Sequence, residues 1–552
     1  MQDRVDSGVD VLIVGSGPGG LVAAAYLAAA GRRVLVLEHH DVAGGNCTVF
    51  RRGPLEFDVG VHYLGDCGPG GVIPSLLSGL GLADRIRFLP LEPDGFDELR
   101  FPGLEFRVPA DRAEYTRRLV EAFPAEAAAV TECMDLLGAI AEEARMANIP
   151  GTETPLLDRW RDRPLDELFD HCGLSPRAAA VLDHWSGLYG SGPSRSNVPM
   201  HAGIIDHYMR GAYYPEGGGQ VIAARLVEVI EALGGEVRTR ARVDRILVED
   251  GQVRGVRLSD GEVISAPVVV SNADYKRTVL ELVGAEHWRA GTVARAESAR
   301  MSLALACVYV TVAKDLVTDQ PNCNYFIFPS WDVEGAYSSL EAGELPEGEL
   351  PFAYVSIASR KDPGNPHLCP PGHTNFQIMT LVPRGYEWWG VEEGPATGAR
   401  YRRNPEYRRA KEKLTTMLLE AAESVLGEFH DEITHVEMAT PVTHERYTLS
   451  TGGTSYGLAH SPEQTGANRP DHRTEIAGLY LAGANTRTAH GIAGAMLGGV
   501  TAAGRILDRP LLIEAMMGGV LVDPGLLPAD GPDWDPLEVS RGAALRARRT
   551  RA

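Results

Sequence analysis

The chain opens on two apolar runs separated by a turn and a helix. Val9 to Val14 is almost wholly apolar, as expected of a strand buried on both faces of a parallel sheet. A glycine turn follows, then small and apolar residues at helical density from about Gly20 to Ala30. A second apolar run then closes on Glu38. The predicted order is strand, turn, helix, strand.

Farther on the periods alternate again. Val221, Ile222, Leu226, Val229 and Ile230 recur at helical spacing between about 219 and 233, and Gly234 and Gly235 end that helix. Short alternating strands run on to residue 274, broken at Asp250-Gly251 and Asp260-Gly261, dipeptides that favour hairpins. Residues 66–212 read mostly as helix. Residues 276–474 supply strands such as "ALACVYVTVA" and "NFQIMTLVP", and a helix from about Pro405 to Leu426 with Leu414, Met417, Leu418 and Ala421 on one face. The stretch "AGLYLAGANTRTAHGIAGAMLGGVTAAGRIL" reads as strand from about Leu479 to Ala482, loop, and glycine-rich helix ending near Leu507. In it Gly494 with Gly498, and Ala495 with Gly499, stand four apart, the spacing of close-packed membrane helices. The run is too short to span a bilayer, and Arg487, His490 and Arg505 stand at its ends.

At 552 residues the chain is too long for one ordinary core, so two or three domains are expected. A net charge of −21 opposes the basic footprint that nucleic acid requires, and no such partner is expected. It equally opposes attachment to anionic lipid by charge alone. The exception is the C-terminal tail with Arg541, Arg546, Arg548, Arg549 and Arg551, which reads as loose and solvated. Seven scattered cysteines, never spaced CxxC, imply neither a disulfide framework nor a metal site, and a reducing cytoplasm is the expected compartment. The polar start shows no secretory signal, and no run reaches about 18 uninterrupted apolar residues.

The first turn carries chemistry. Gly15, Gly17 and Gly20 have GxGxxG spacing, with Pro18 and Gly19 between them. The first glycine permits the tight turn, the second lets backbone approach a pyrophosphate, and the third lets the helix lie close to the strand. The helix then turns its positive end to the phosphates. Glu38, eighteen residues beyond Gly20, stands where a carboxylate accepts from a ribose hydroxyl. The motif leaves nicotinamide and flavin dinucleotides equally open. Gly44 and Gly45 suggest a further close approach of backbone to a bulky ligand.

With those residues, "AGGNCTVF" and "LEFDVGVHYLG" resemble the FAD-dependent phytoene desaturase, carotenoid isomerase and retinol saturase family of the flavin amine-oxidase-like superfamily. The likeness is strongest to the retinol saturase and carotenoid isomerase branch, because desaturases usually carry arginine where this chain has Asn46. The resemblance implies an α/β fold with a discontinuous Rossmann-like FAD-binding domain, its parallel sheet built from residues 1–65, 213–275 and 475–510. It further implies an inserted α+β substrate domain of residues 66–212 and 276–474 containing an antiparallel sheet, followed by an extension of residues 511–552. Cofactor contacts are implied at Gly15, Gly17, Pro18, Gly19, Gly20, Glu38, Gly44, Gly45, Asn46, Val243 and Asn272. The last motif adds Gly483, Asn485, Gly491, Ile492 and Ala493, where a helix start would aim N–H groups at the pyrimidine end of the flavin.

A flavin handles hydride or electron transfer, and the protein supplies position and electrostatics. His62, Tyr63, His444, Tyr447 and Tyr456 are candidate acid–base residues, with an ordinary structural role as the alternative for each. Trp185, Tyr189, Tyr208, Tyr213 and Tyr214 either line a lipophilic tunnel or fill core. The expected activity is saturation or cis–trans isomerisation of carbon–carbon double bonds in a hydrophobic polyene through reduced flavin. NAD(P)H would be the external electron source, and peripheral membrane contact would serve substrate uptake. The alternatives are dehydrogenation of a carotenoid precursor by oxidised flavin, amine oxidation, and flavin binding without turnover.

Overall fold

The structure, a computed structural model, describes residues 8–147, 151–346 and 348–550. Five parallel strands form the first sheet, in the order Glu236–Arg238, Val34–Leu37, Val11–Val14, Val268–Ser271, Leu479–Leu481. Alternate side chains of Val11–Val14 enter different cores. Val11 and Ile13 face the helix layer of Pro18–Ala29, Gln220–Ala232 and Gly491–Leu507, while Leu12 and Val14 face a three-stranded antiparallel sheet. This explains the unbroken apolar run, since both faces are covered.

Predicted element types hold here with shorter bounds. The stretch 236–249, read as one strand, divides: Glu236–Arg238 joins the parallel sheet and Val243–Glu249 starts the antiparallel one. The Asp250-Gly251 turn has positive φ at both residues, 51° and 71°, as a type I′ hairpin requires.

A seven-stranded sheet forms the second unit, in the order Ile433–Ala439, Ala304–Val312, Thr374–Val382, Ala353–Ser356, Asn324–Ile327, Asp97–Phe101, Leu104–Val108. Two details refine the expectation here. Residues 66–212 are not purely helical cover, since they contribute the last two strands of this sheet. Nor is the sheet wholly antiparallel, because Asn324–Ile327 runs parallel to Asp97–Phe101. Along Ala304–Val312 the two-residue period is plain. Ala304, Ala306, Val308, Val310 and Val312 pack toward the long helix Pro405–Leu426, and Leu305, Cys307 and Tyr309 turn toward a cavity.

The C-terminal segment also differs from expectation. It is folded against the first unit: Asp530 pairs with Arg225, Trp534 stacks on the same guanidinium at 3.9 Å, and Ser540 accepts from Gln220. Two of the basic residues expected to be solvated are partnered, Arg541 with Asp41 and Arg546 with Glu231. An acidic protein thus uses its basic tail internally. The side chain of Arg549 and the whole of Arg551 lie outside the described residues.

Among the described residues no helix is long and apolar enough to cross a membrane. The small residues of Gly491–Leu507 serve helix packing instead. A Cβ on Gly499 would lie 2.3 Å from the Gly19 carbonyl, so this helix rests directly on Pro18–Ala29.

Candidate active site

One cavity of about 2450 Å³ runs from the glycine turn, past the start of the last helix, into an aromatic pocket under the seven-stranded sheet. Its first part is built by steric necessity. A Cβ on Gly20 would sit 2.2 Å from the Gly15 carbonyl, and one on Gly45 would sit 3.0 Å from the Gly17 Cα. The Asn272 side chain wedges beneath the turn, close to Gly17, Gly19 and Gly483. It therefore holds together the three strand ends that form the cradle.

Two helices that start at the glycine-rich part of the cavity are uncapped. Pro18–Ala29 and Gly491–Leu507 lack a capping side chain and have no acidic residue in the first turn. Some other helices begin on a capping side chain, as at Asp111, Ser175 or Asn404, and others, such as Gln220–Ala232, do not. Free N–H groups at a helix start seek an acceptor. Two such starts along one cavity suit the pyrophosphate of a dinucleotide at one and a ring carbonyl at the other. A Cβ on Gly491 would meet nothing within 4 Å, so that start stands open to the cavity. The residues present fit a flavin dinucleotide.

Glu38 occupies the far end of the second strand and is already fully engaged. Its Oε2 accepts from Ser16 N at 2.9 Å and Ser16 Oγ at 2.6 Å, and its Oε1 from His40 N at 2.8 Å and the His39 ring at 2.8 Å. Burial pushes the carboxyl up, but these donors outweigh it and hold Glu38 at about 2. Ser16 also receives the Gly44 N–H through its carbonyl oxygen at 3.0 Å, so it ties the two glycine segments together. Glu38 shapes the turn as well as lining the cavity at the end where the adenosine of a dinucleotide would lie. Val243 lines the same end. Asn485 is turned inward, its Oδ1 accepting from Leu458 N at 2.9 Å.

The candidate acid–base residues divide into three places. Tyr63 lies in the wall of the aromatic pocket, stacked on Tyr208 at 4.5 Å, and its hydroxyl donates to Asp97 at 3.0 Å. His62 lines the cavity beside it, its Nδ1 without a partner among the described residues, and burial followed by the Lys361 charge pulls it down to about 3. His444 pairs with Asn46, far away in sequence. Tyr447 is 42% exposed and stands edge-on to His40 near the adenosine end, apart from both groups. Tyr456 lines the cavity, 5.1 Å from the His490 ring. Of the aromatic cluster, Tyr208 lines the pocket, whereas Trp185, Tyr189 and Tyr214 are buried in core.

Sequence reading missed Ser16, Asp97, Asn324 and Lys361. Asp97 left a signal: it shares the strand face of Leu99 and Phe101, where an apolar residue belongs. Asn324 and Lys361 left none, because their partners come from distant segments.

Known proteins agree with this geometry. The profile described as "Flavin containing amine oxidoreductase" matches residues 18–379 and 404–507. The chain is 30% identical to all-trans-retinol 13,14-reductase of Macaca fascicularis, across 92% of this chain and 87% of that protein. It is 26% identical to prolycopene isomerase 2, chloroplastic, of an Oncidium hybrid cultivar, across 90% of this chain and 83% of that protein. The crystal structure of an oxidoreductase from Methanosarcina mazei shares the fold, with a TM-score of 0.60 at 18% identity, covering 91% of this chain and 100% of the other. With a flavin cradle in place and the profile matched over most of its length, the chain belongs to the flavin containing amine oxidoreductase family.

Proposed function

We propose that the protein is an FAD-dependent oxidoreductase acting on carbon–carbon double bonds of a hydrophobic polyene, a retinoid or carotenoid, which it saturates or isomerises from the reduced state. The observation that carries this reading is the pocket that continues from the flavin cradle. It is walled by Tyr63, Tyr208, Tyr354, Leu305, Cys307 and Met379, a surface matched to an elongated unsaturated hydrocarbon. The names of the relatives support it, one group acting on retinol and the other on prolycopene. Bound reduced flavin supplies hydride, with a reduced nicotinamide nucleotide as the external donor. The chain excludes water from the pocket, aligns the polyene against aromatic faces, and offers a proton at the Tyr63 hydroxyl.

The cavity opens where Met146, Ile513, Met516 and Met517 stand 43%, 48%, 42% and 83% exposed, all four lining it. Exposed apolar side chains on the lining of a cavity suit a substrate drawn from lipid, and we assign these residues to peripheral membrane contact. The seven free cysteines are compatible with a cytoplasmic location.

The test is anaerobic incubation of a retinoid and carotenoid panel with oxidised or reduced holoenzyme. Product two hydrogens heavier than substrate, or an isomer of equal mass, formed only by reduced enzyme is the expected result. Product two hydrogens lighter, formed by oxidised enzyme, overturns the reading in favour of a desaturase. Flavin reduction by amines alone points to amine oxidation, and no turnover at all leaves a flavin-binding protein.

A further inference from the structure

Behind the aromatic wall lies a buried charged group that the proposed function does not yet use. The parallel pairing of Asn324–Ile327 with Asp97–Phe101 sets Asn324 beside Asp97 in register. Asp97 is fully buried. Its Oδ1 accepts from Asn324 Nδ2 at 2.8 Å, and its Oδ2 from Trp185 Nε1 at 2.9 Å and Tyr63 Oη at 3.0 Å. Lys361, also buried, donates to Asn324 Oδ1 at 2.5 Å, Ser356 Oγ at 2.7 Å and the His62 carbonyl at 2.7 Å. The line from ammonium to cavity thus reads Lys361, Asn324, Asp97, Tyr63.

Burying a carboxylate and an ammonium under an apolar pocket costs stability, and packed hydrophobic residues would serve a wall equally well. The line instead ends on the phenol of Tyr63, a residue of the cavity wall. A phenol that loses its proton here would become a buried phenolate beside a carboxylate, which the low-dielectric site disfavours. A neighbouring carboxyl able to replace that proton removes the obstacle.

We propose that Asp97 is the positioning and relay residue behind Tyr63: it presents the phenol to the pocket and replaces the proton that Tyr63 delivers to the substrate. This rests on the reading that a polyene double bond is reduced. As the carbon–carbon π bond breaks, hydride from the reduced flavin, carrying two electrons, bonds to one carbon. The Tyr63 O–H bond breaks as its proton bonds to the other carbon. The Asp97 O–H bond then breaks as the Tyr63 O–H bond reforms. The alkene gains two hydrogens, the flavin is oxidised, and the carboxylate left at Asp97 is held by the Asn324 amide, itself bonded to the Lys361 ammonium. Release of product lets Asp97 take a proton from solvent.

The relay starts from protonated Asp97, whose Oδ2 then donates to Tyr63 Oη across the same 3.0 Å contact and frees the phenol proton for the substrate. Burial raises its carboxyl to about 6, against the bonds from Asn324, Trp185 and Tyr63 and the charge of Lys361. The titratable groups facing the pair are Tyr208, Tyr354, Tyr115, Cys323 and Lys361, with Asp58 facing Lys361 in turn. Burial pushes the phenols and the thiol upward, keeping them neutral, and draws Lys361 down to about 7 and Asp58 up to about 7. The delivered rate should therefore fall as pH rises through about 6.

The test uses holoenzyme and a polyene that the wild type reduces, with rates taken from pH 5 to 8.5. Tyr63→Phe should slow reduction about 100-fold with flavin retained, within the usual range for a lost general acid. Asp97→Asn should slow it at least about tenfold and flatten the pH profile, and Asp97→Glu should restore a pH-dependent rate. Independently of turnover, infrared titration of the holoenzyme should show the carbonyl stretch of a protonated carboxyl that disappears as pH rises past about 6, present in the wild type and Tyr63→Phe and absent in Asp97→Asn. Tyr63→Phe within twofold of wild type, or Asp97→Asn with an unchanged pH profile, overturns the relay while leaving the function standing. If Asp97→Asn does not fold, Tyr63→Phe rates and the wild-type infrared titration decide. If no polyene is turned over, the functional reading fails, and the infrared band alone judges the pair, its absence sinking the proposal.

Discussion

The Nε2 of His444 lies 3.0 Å from Oδ1 of Asn46, across 398 residues of chain. His444 Nδ1 is 3.3 Å from Ser450 Oγ, and Asn46 Nδ2 donates to the Ser455 carbonyl at 3.4 Å. Burial draws the imidazole down to about 4, so it is neutral near pH 7. Asn46, set directly after the glycine pair, therefore fastens the flavin cradle to the segment that closes over it. Asn46→Ala should loosen that segment and speed flavin loss by roughly fivefold, the value of about one hydrogen bond. Stopped-flow release of flavin checks this, and an unchanged off-rate would show that the pair does not brace the cofactor.

Glu38 binds four donors of its own chain, so its removal acts on the turn as well as on the ribose. Glu38→Gln should lower stability at neutral pH by up to about 3 kcal/mol and weaken flavin retention with it. The sign follows from a folded value of about 2, below the ordinary glutamate value of 4.5. The contribution is present above about 4.5 and lost as pH falls toward 2. Thermal melts of apo-protein, which lack the ribose contact, separate the two roles: an apo melting temperature equal to wild type would leave only the ribose.

Gly499 should be the least replaceable glycine of the last helix. A Cβ would stand 2.3 Å from backbone at Gly19, whereas at Gly494 the nearest atom is 2.7 Å away in the preceding loop and at Gly498 it is 2.9 Å away. Gly499→Val should cost about 3 kcal/mol or more and abolish flavin binding, because it pushes the helix off the cradle. Flavin absorbance per protein checks the order of severity. Gly494→Val proving worse would refute the helix-contact explanation.

His201 is enclosed, donating from Nε2 to the Leu182 carbonyl at 3.1 Å and accepting from Tyr189 Oη at 3.0 Å. Burial lowers it to about 4 from 6.5, so the unfolded chain takes up a proton that the folded chain refuses. Stability should fall on this account as pH drops from about 6.5 toward 4, by about 2 kcal/mol at pH 5. His201→Gln, which cannot titrate, should gain relative to wild type by that amount between pH 7 and pH 5. A difference in melting temperature that does not change with pH would contradict it.

The rim supplies the last prediction. Replacing Ile513, Met516 and Met517 together by Ser should reduce co-sedimentation with phosphatidylcholine vesicles at least about tenfold, since each buried side chain is worth about 1.5–3 kcal/mol. Flavin content and turnover of detergent-solubilised polyene should be unchanged. Equal vesicle binding by the variant and the wild type would remove the rim from membrane contact.

The sequence by itself determined the cofactor half of this protein. Gly15, Gly17 and Gly20 between two apolar runs can be satisfied in few ways, because local backbone geometry and the double burial of parallel strands leave a short-range imprint. The same holds for the hairpin at Asp250-Gly251 and the helix at Gly491–Leu507. Tertiary structure alone decided which residues meet. Asp97 and Asn324 are neighbours only because two inserted segments share a sheet edge in parallel register, and His444 reaches Asn46 only after the second unit folds over the first. It also decided that Arg541 and Arg546 of the basic tail are partnered, since Asp41 and Glu231 lie on other elements. Hydrophobic period reports which face of an element is covered, and says nothing of which distant polar group waits behind that cover. The proton chemistry of the pocket depends on those polar groups, and so it became legible only in three dimensions.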